Sequence, residues 1–370
     1  MKNVKLTLLF LLLMLGTVRS WAYFYGQYPD ATVRILHDAE RVYFCRYKGV
    51  SVLDRATGSW TSYSYQNGML PDEMHTSMAL HSDTLWVGSC NGWVTAICDG
   101  KTASRQYKMI DEYTKSELYS LVQEIAFDSR GRMVLGMSNC VRGVVNGEPL
   151  QCYAIPSIVS EQSVEGMQFD AKGNLWVACA GSHYENALTR YTFEEGIDFL
   201  LTRLVKPHPF QFDHCCCLAV DGDDVLWFNP GNQLVKYDGE TFTLCATVVY
   251  GNDMAFDARG RLWLVGKNGG LCCYDHGEVT HYPYQQEMWF CLDIDGDVIY
   301  IGTQNGVLKF ENGEFTAFEV PDLTTSVRPP LALPDGNAVP RMFTLDGRPI
   351  DGNSTAKGVV VKNGRKVMLK

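Results

Sequence analysis

The chain has 370 residues, is 46% hydrophobic and 20% charged, and carries a formal net charge of −10. That composition excludes wholesale disorder and suits one large all-β domain or two average ones. The acidic surplus repels phosphate backbones and anionic lipid, so nucleic acid and charged membrane surfaces are not expected partners.

Residues 1–22 read as a secretory signal. Lys2 and Lys5 form a positive start, Leu6 to Leu15 an apolar run, and Ser20-Trp21-Ala22 a small-residue cleavage site. The run is too short to span hydrocarbon as a helix, and no Cys follows it to carry a lipid. Removing it takes the net charge to −13, because Lys2, Lys5 and Arg19 are lost with no acid. No later stretch is apolar and long enough to span a membrane. The expected destination is outside the inner membrane: periplasmic, or at the surface or in the medium if the tail is a sorting signal.

From residue 23 to about 320 the sequence repeats. The clearest unit starts at Met254-Ala-Phe-Asp-Ala-Arg-Gly-Arg-Leu-Trp-Leu-Val-Gly, continues through Asn268-Gly-Gly-Leu, and ends in the strand Glu278 to Tyr282. Its order is apolar run, Asp-x-x-Gly turn, Leu-Trp strand, Asn-Gly turn, third strand, fourth strand. Asp170-Ala-Lys-Gly173 with Leu175-Trp176 repeats it, as do Asp128-Ser-Arg-Gly131 with Met133-Val134 and Asp221-Gly-Asp-Asp224 with Leu226-Trp227. The second-strand position falls at Tyr43, Trp86, Val134, Trp176, Trp227, Trp263 and Tyr300, at spacings of 36 to 51 residues. A four-stranded unit of that length is a propeller blade, and seven can close a ring. The expected fold is therefore all-β, a seven-bladed β-propeller of four-stranded blades with a short C-terminal β tail. A first strand packed from both sides is expected as a continuous apolar run. Asp is expected to bond the turn backbone and Gly to supply positive φ. The alternative for Asp293-x-Asp295-x-Asp297 is a calcium loop, but no later bidentate acid completes one.

Thirteen cysteines lie in the mature part. Cys45, Cys90, Cys179, Cys272 and Cys291 sit in apolar strand-like runs, which points to core packing. Cys215-Cys216-Cys217 and Cys272-Cys273 lack zinc-site spacing. No metal and no cofactor is expected.

With Asp-x-x-Gly-x-Leu-Trp and Asn-Gly-Gly-Leu, the stretch Tyr65-Gln-Asn-Gly-Met-Leu-Pro-Asp72 resembles the two-component regulator propeller repeats of periplasmic sensors. The resemblance spans about residues 35 to 320. Those sensors also carry a second propeller, a β-sandwich, a transmembrane helix and a kinase, which this sequence does not. The resemblance thus implies a ligand-facing propeller without the signalling output. The same pattern is also similar to streptogramin lyase propellers, which use a His and bound Mg²⁺. That implies a His and carboxylates at the channel mouth, for which His183, Glu185 and His214 are the candidates.

Five prolines in residues 321–340 read as an extended linker. Residues 341–370, with Met342-Phe-Thr-Leu-Asp-Gly-Arg and a closing Gly358 to Lys370 hairpin, resemble the end of the type IX secretion C-terminal sorting domain. A small β appendage on the propeller is the alternative.

Ligands of a propeller usually meet the face that holds the second-to-third-strand turns and the interblade loops. The repeat places Arg46, Tyr47, Trp93, Arg142, His183, Tyr184, Glu185, Asn268 and Gln304 in those turns, and Tyr65, Tyr119, Tyr250, Asp253, Tyr284 and Trp289 among the residues of the interblade loops. Aromatic planes mixed with amides suit sugar rings and protein partners alike. The leading expectation is a monomeric, noncatalytic exported binding protein for a glycan or protein ligand. A metal-dependent lyase-like enzyme and a protein–protein scaffold are the alternatives.

Overall fold

The structure is a computed structural model. It describes residues 28, 30–110, 117–138, 140–145, 148–154, 163–180, 188–194, 197–202, 215, 217–266, 268–285 and 287–322. Beyond these it describes four strands, Met342–Phe343, Pro349–Ile350, Gly358–Lys362 and Arg365–Leu369, and residues 1–22 lie outside it. The chain divides into two compact units, residues 1–326 and 327–370.

The first unit is a seven-bladed propeller of consecutive, antiparallel four-stranded blades. Blade one is Thr32–His37, Arg41–Arg46, Gly49–Asp54 and Trp60–Ser64. Blades two to seven begin at inner strands His75–His81, Val122–Phe127, Ser163–Phe169, Leu218–Val220, Gly251–Phe256 and Trp289–Asp295. Inner strands of neighbouring blades touch all the way round, including blade seven against blade one. The second unit is one four-stranded sheet in which Met342–Phe343 lies between Pro349–Ile350 and the hairpin Gly358–Lys362/Arg365–Leu369. No helix among the described residues is long and apolar enough to cross a membrane.

The Asp-x-x-Gly-x-Leu-Trp motif is one hydrogen-bonded unit. In blade six, Asp257 Oδ1 accepts the backbone N–H groups of Arg259 and Arg261, both at 2.9 Å. Its Oδ2 accepts Arg261 Nε at 2.7 Å and the Trp263 indole N–H at 3.0 Å. Asp170 and Asp221 hold Trp176 and Trp227 the same way, at 3.1 and 2.7 Å. The turn glycines Gly131, Gly173 and Gly260 have φ of +76° to +80°, where a side chain is strained. Blade three has Val134 in place of Trp, and there Arg132 Nε takes Asp128 Oδ2 at 2.5 Å. Blade two has no Asp six residues before its Trp, and the Trp86 indole nitrogen is buried without a partner.

Held this way, each tryptophan is nearly buried and meets the next blade. Trp176 lies 5.7 Å from Tyr237, Trp227 5.9 Å from Phe256, and Trp263 5.8 Å from Phe310. Cys45, Cys179, Cys272 and Cys291 are buried and Cys90 half-buried, in core contacts.

The inner strands depart from the continuous apolar run expected of them. Among the described residues, six carry a register shift near the start of the strand, between Thr32/Arg34, His75/Ser77, Val122/Glu124, Val164/Gly166, Gly251/Asp253 and Trp289/Cys291. Each is a one-residue bulge, which breaks the ladder locally and twists the strand. Freed backbone groups at this level are met across blade junctions. Thr76 Oγ1 donates to the Val122 carbonyl at 2.7 Å, and Val164 N–H donates to Gln123 Oε1 at 3.2 Å. Gly251 N–H donates to Asn229 Oδ1 at 2.7 Å, and Asn252 Nδ2 donates to the Trp289 carbonyl at 2.6 Å.

Asp257→Ala removes an acceptor from two turn amides, a guanidinium and a buried indole at once. Urea unfolding is expected to show a loss of about 2–3 kcal/mol. A loss below about 0.5 kcal/mol would show that the motif's hydrogen bonds do not carry the blade.

Candidate functional site

Two regions compete as the site: the axis, and the face with the second-to-third-strand turns.

At the axis, the residue after each bulge stands at a common level. In sequence order these are Arg34, Ser77, Glu124, Gly166, Asp253 and Cys291. Three are small, which leaves room for Arg34 to cross. Its guanidinium hydrogen-bonds Glu124 of blade three and lies 3.8 Å from Asp253 of blade six. Asp253 also accepts the Leu292 and Met254 backbone N–H groups, at 3.1 and 2.9 Å. One guanidinium faces several acids here, since Glu165 also acts on Glu124. Burial therefore pushes the Glu124 carboxyl up to about 7 against the pull of Arg34. Burial raises Asp253 as well, and Arg34 stays charged among these acids.

At the junction of blades seven and one, His37 Nδ1 lies 2.6 Å from Asp293 and Arg55 Nη1 lies 2.8 Å from Asp295. Arg259 Nη2 takes Asp297 at 2.7 Å. The Asp293-x-Asp295-x-Asp297 carboxylates are thus engaged with cationic or histidine partners. No group of three or more His, Cys, Asp or Glu among the described residues could hold a metal ion.

Asp253, expected in an interblade loop, stands in an inner strand instead, and Arg34 and Glu124 were missed in the sequence although a signal was present. Aligning the repeats on the Asp turn puts Arg34, Glu124 and Asp253 in one column. His75 was missed too. Its ring Nδ1 lies 3.1 Å from the Tyr47 carbonyl, which can only accept, so Nδ1 carries the hydrogen. Burial pushes the imidazole down to about 4, so it is neutral, and Nε2 is buried without a partner.

On the face, four predicted contacts lie inside the fold. Trp289 is 0% exposed, and its indole donates to Glu287 at 3.1 Å. Tyr47 is buried in a cluster with Ala31, Tyr28, Met74, Cys90 and Phe290. Arg46 is buried and donates to Ser51 Oγ at 3.3 Å and to the Pro321 carbonyl. Arg142 is buried and donates to the Lys108 carbonyl. The physical reason is shared. The turns are tight, so residues placed there by the repeat sit at strand ends against the next connection. Gln304 is half-buried and pairs with the Met288 backbone through its own N–H and its Oε1, at 2.9 and 3.2 Å.

The remaining described candidates reach the surface. Tyr65 is 49% exposed, Asn268 is exposed, and Trp93 and Tyr250 are half-exposed. His183, Tyr184, Glu185 and His214 lie outside the described residues. The structure adds a hairpin that the repeat did not predict, Lys108–Ile110 with Glu117–Tyr119, inserted between blades two and three. Arg142 ties its base to blade three. Its Tyr119 is 53% exposed and Leu118 38%. The Lys108 ammonium lies 5.3 Å from the Tyr119 ring centroid. Tyr284, between blades six and seven, is 37% exposed.

No family model matches the chain, and no curated protein matches it. Solved structures match the propeller. Virginiamycin B lyase from Staphylococcus aureus aligns at TM-score 0.59 and 16% identity, over 78% of this chain and 96% of the lyase. The WD40 propeller domain of Doa1 aligns at 0.58 and 10%, over 78% and 94%. YCF48 bound to the D1 peptide aligns at 0.52 and 14%, over 76% and 93%. At these identities the likeness shows the fold alone.

The axial acids set a pH dependence. A carboxyl whose folded pKa lies above its unfolded value stabilises the fold most at low pH, and that contribution fades as pH rises to the folded value. Glu124 is expected to contribute a fall in stability of up to about 3 kcal/mol from pH 5 to pH 8 in urea unfolding, opposed below about pH 6.5 by His75, whose lowered value adds stability as pH rises. Glu124→Gln is expected to flatten that fall, and an unchanged slope in the variant would remove Glu124 as its source.

Proposed function

We propose that the chain is an exported binding protein that recognises a glycan or a protein segment on the face carrying the interblade connections. The observation behind this reading is the distribution of aromatic rings. Of the five large hydrophobic residues exposed among those described, Tyr65, Tyr119 and Tyr284 sit on interblade connections, which share one face, and Leu118 is next to one of them. At the axis, by contrast, the charges are paired with one another. Exposed tyrosines offer a planar C–H-binding surface and a hydroxyl, at low conformational cost.

Propellers of this shape do bind ligands. A catalytically inactive histidine-to-alanine variant of virginiamycin B lyase was solved with quinupristin, and YCF48 with the D1 peptide. In this reading residues 1–22 direct export and the tail sorts the protein to the cell surface. Catalysis is the second reading, and it would rest on His183, Glu185 and His214.

A thermal-shift screen on the secreted protein tests this, with plant, host and bacterial glycans, and with Mg²⁺ and Ca²⁺ with and without chelator. A glycan at a hundredfold excess over Kd is expected to add about 2.7 kcal/mol of stability. Tyr65→Ala with Tyr119→Ala is expected to weaken binding by at least about tenfold while leaving the unliganded melting temperature in place. A shift from metal alone would replace this reading with the lyase-like one. No shift from any glycan would leave a protein ligand.

A further inference from the structure

Six of the seven blade junctions are crossed by the chain itself, because an interblade connection runs from one blade into the next. The junction of blade seven with blade one has no such link. It has no shared strand either, since both blades consist of four consecutive strands of their own. Side chains make this seam. Ile35, Val42 and Phe44 of blade one pack with Cys291 and Val307 of blade seven, flanked by Trp60, Tyr300 and Phe318. The Phe44 ring stacks on Phe318 at 5.5 Å and meets Tyr300 edge-on at 6.1 Å. A His37–Asp293 hydrogen bond and an Arg55–Asp295 ion pair cross it as well. Gly302 lets the blades approach, because a Cβ there would lie 2.4 Å from the Thr32 carbonyl oxygen.

The segments that enter and leave the ring also meet at this seam, around one buried guanidinium. Arg46 ends the second strand of blade one. It donates to the Pro321 carbonyl, three residues past the last strand of blade seven, and to Ser51 within its own blade. Burial draws its pKa down, opposed by the Asp322 carboxylate of the outgoing segment and the Asp30 carboxylate of the incoming one. A planar five-donor fork can satisfy partners in several directions at once, which a lysine ammonium does less well.

We propose that Arg46 is the closing clamp of the ring, holding the incoming and outgoing segments on blade one so that its release opens the propeller at the seam between blades seven and one. The clamp takes over the role that a shared strand or an interblade connection would play. Its other consequence concerns the proline-rich segment. That segment begins beside Pro321 and Asp322, so a partner that pulls on it, or a protease that cuts at the clamp, acts directly on ring closure. The proposal is independent of what the face binds.

Hydrogen exchange read by mass spectrometry on the full mature chain tests it. Arg46→Met is expected to speed exchange at least about tenfold in residues 32–37 and 289–318 while leaving blades three and four near their wild-type rates. Arg46→Lys is expected to recover part of the protection, since it keeps the charge. The double variant Asp30→Asn with Asp322→Asn leaves the buried core untouched, and is expected to give a smaller rise confined to the same residues. It serves as the test if Arg46→Met does not fold. Exchange that rises equally in all seven blades would overturn the clamp, as would an unchanged seam in the double variant.

Discussion

The propeller depends on a one-residue bulge near the start of its inner strands. A flat inner ladder would run its side chains alternately into the two neighbouring blades and leave the axis to backbone. The bulge breaks that alternation at one level, in six of seven blades. Arg34, Glu124 and Asp253 stand at that level, and polar groups freed there bond the adjoining blade. In blade five Cys216 lies outside the described residues, the Asn229 N–H donates to the Cys217 carbonyl at 3.2 Å, and the Asn229 side chain accepts from Gly251 of blade six. The ring is therefore held near its centre by hydrogen bonds between blades, in addition to the apolar wedges further out.

The wedges have their own local logic. One aspartate closes the first turn and fixes the tryptophan that packs on the next blade, so turn geometry and interblade packing are linked by a single carboxylate. Where the tryptophan is absent, Asp128 keeps only the Arg132 bond that Arg261 also makes to Asp257, and where the aspartate is absent, the Trp86 indole goes unpaired. Blade one uses Tyr43, whose hydroxyl donates to Asp38 at 2.6 Å. In blade seven the corresponding carboxylates turn outward to blade one, where Asp293 meets His37 and Asp295 meets Arg55.

The candidate face was legible in part. Tyr65, Trp93, Tyr250 and Asn268 come to the surface, as the repeat implies, because their positions relative to local turns set their exposure. Arg46, Tyr47, Arg142 and Trp289 do not, because their surroundings come from distant segments. Pro321 covers Arg46 and Lys108 covers Arg142, at sequence separations of 275 and 34 residues. Tyr119 was legible as an interblade residue, but the inserted hairpin that carries it was not, for a similar reason. It interrupts a repeat whose spacing varies anyway, and its strands are three residues each.

By itself the sequence determined the blade count, the strand order and the turn chemistry. Each follows from contacts within about ten residues, and the repeat states them seven times over. Only the tertiary structure decided which polar side chains face solvent, that a guanidinium crosses the axis, and where the ring is closed. Those outcomes depend on residues a blade or more apart meeting at a level set by the bulges and by ring closure, and no local pattern encodes that meeting.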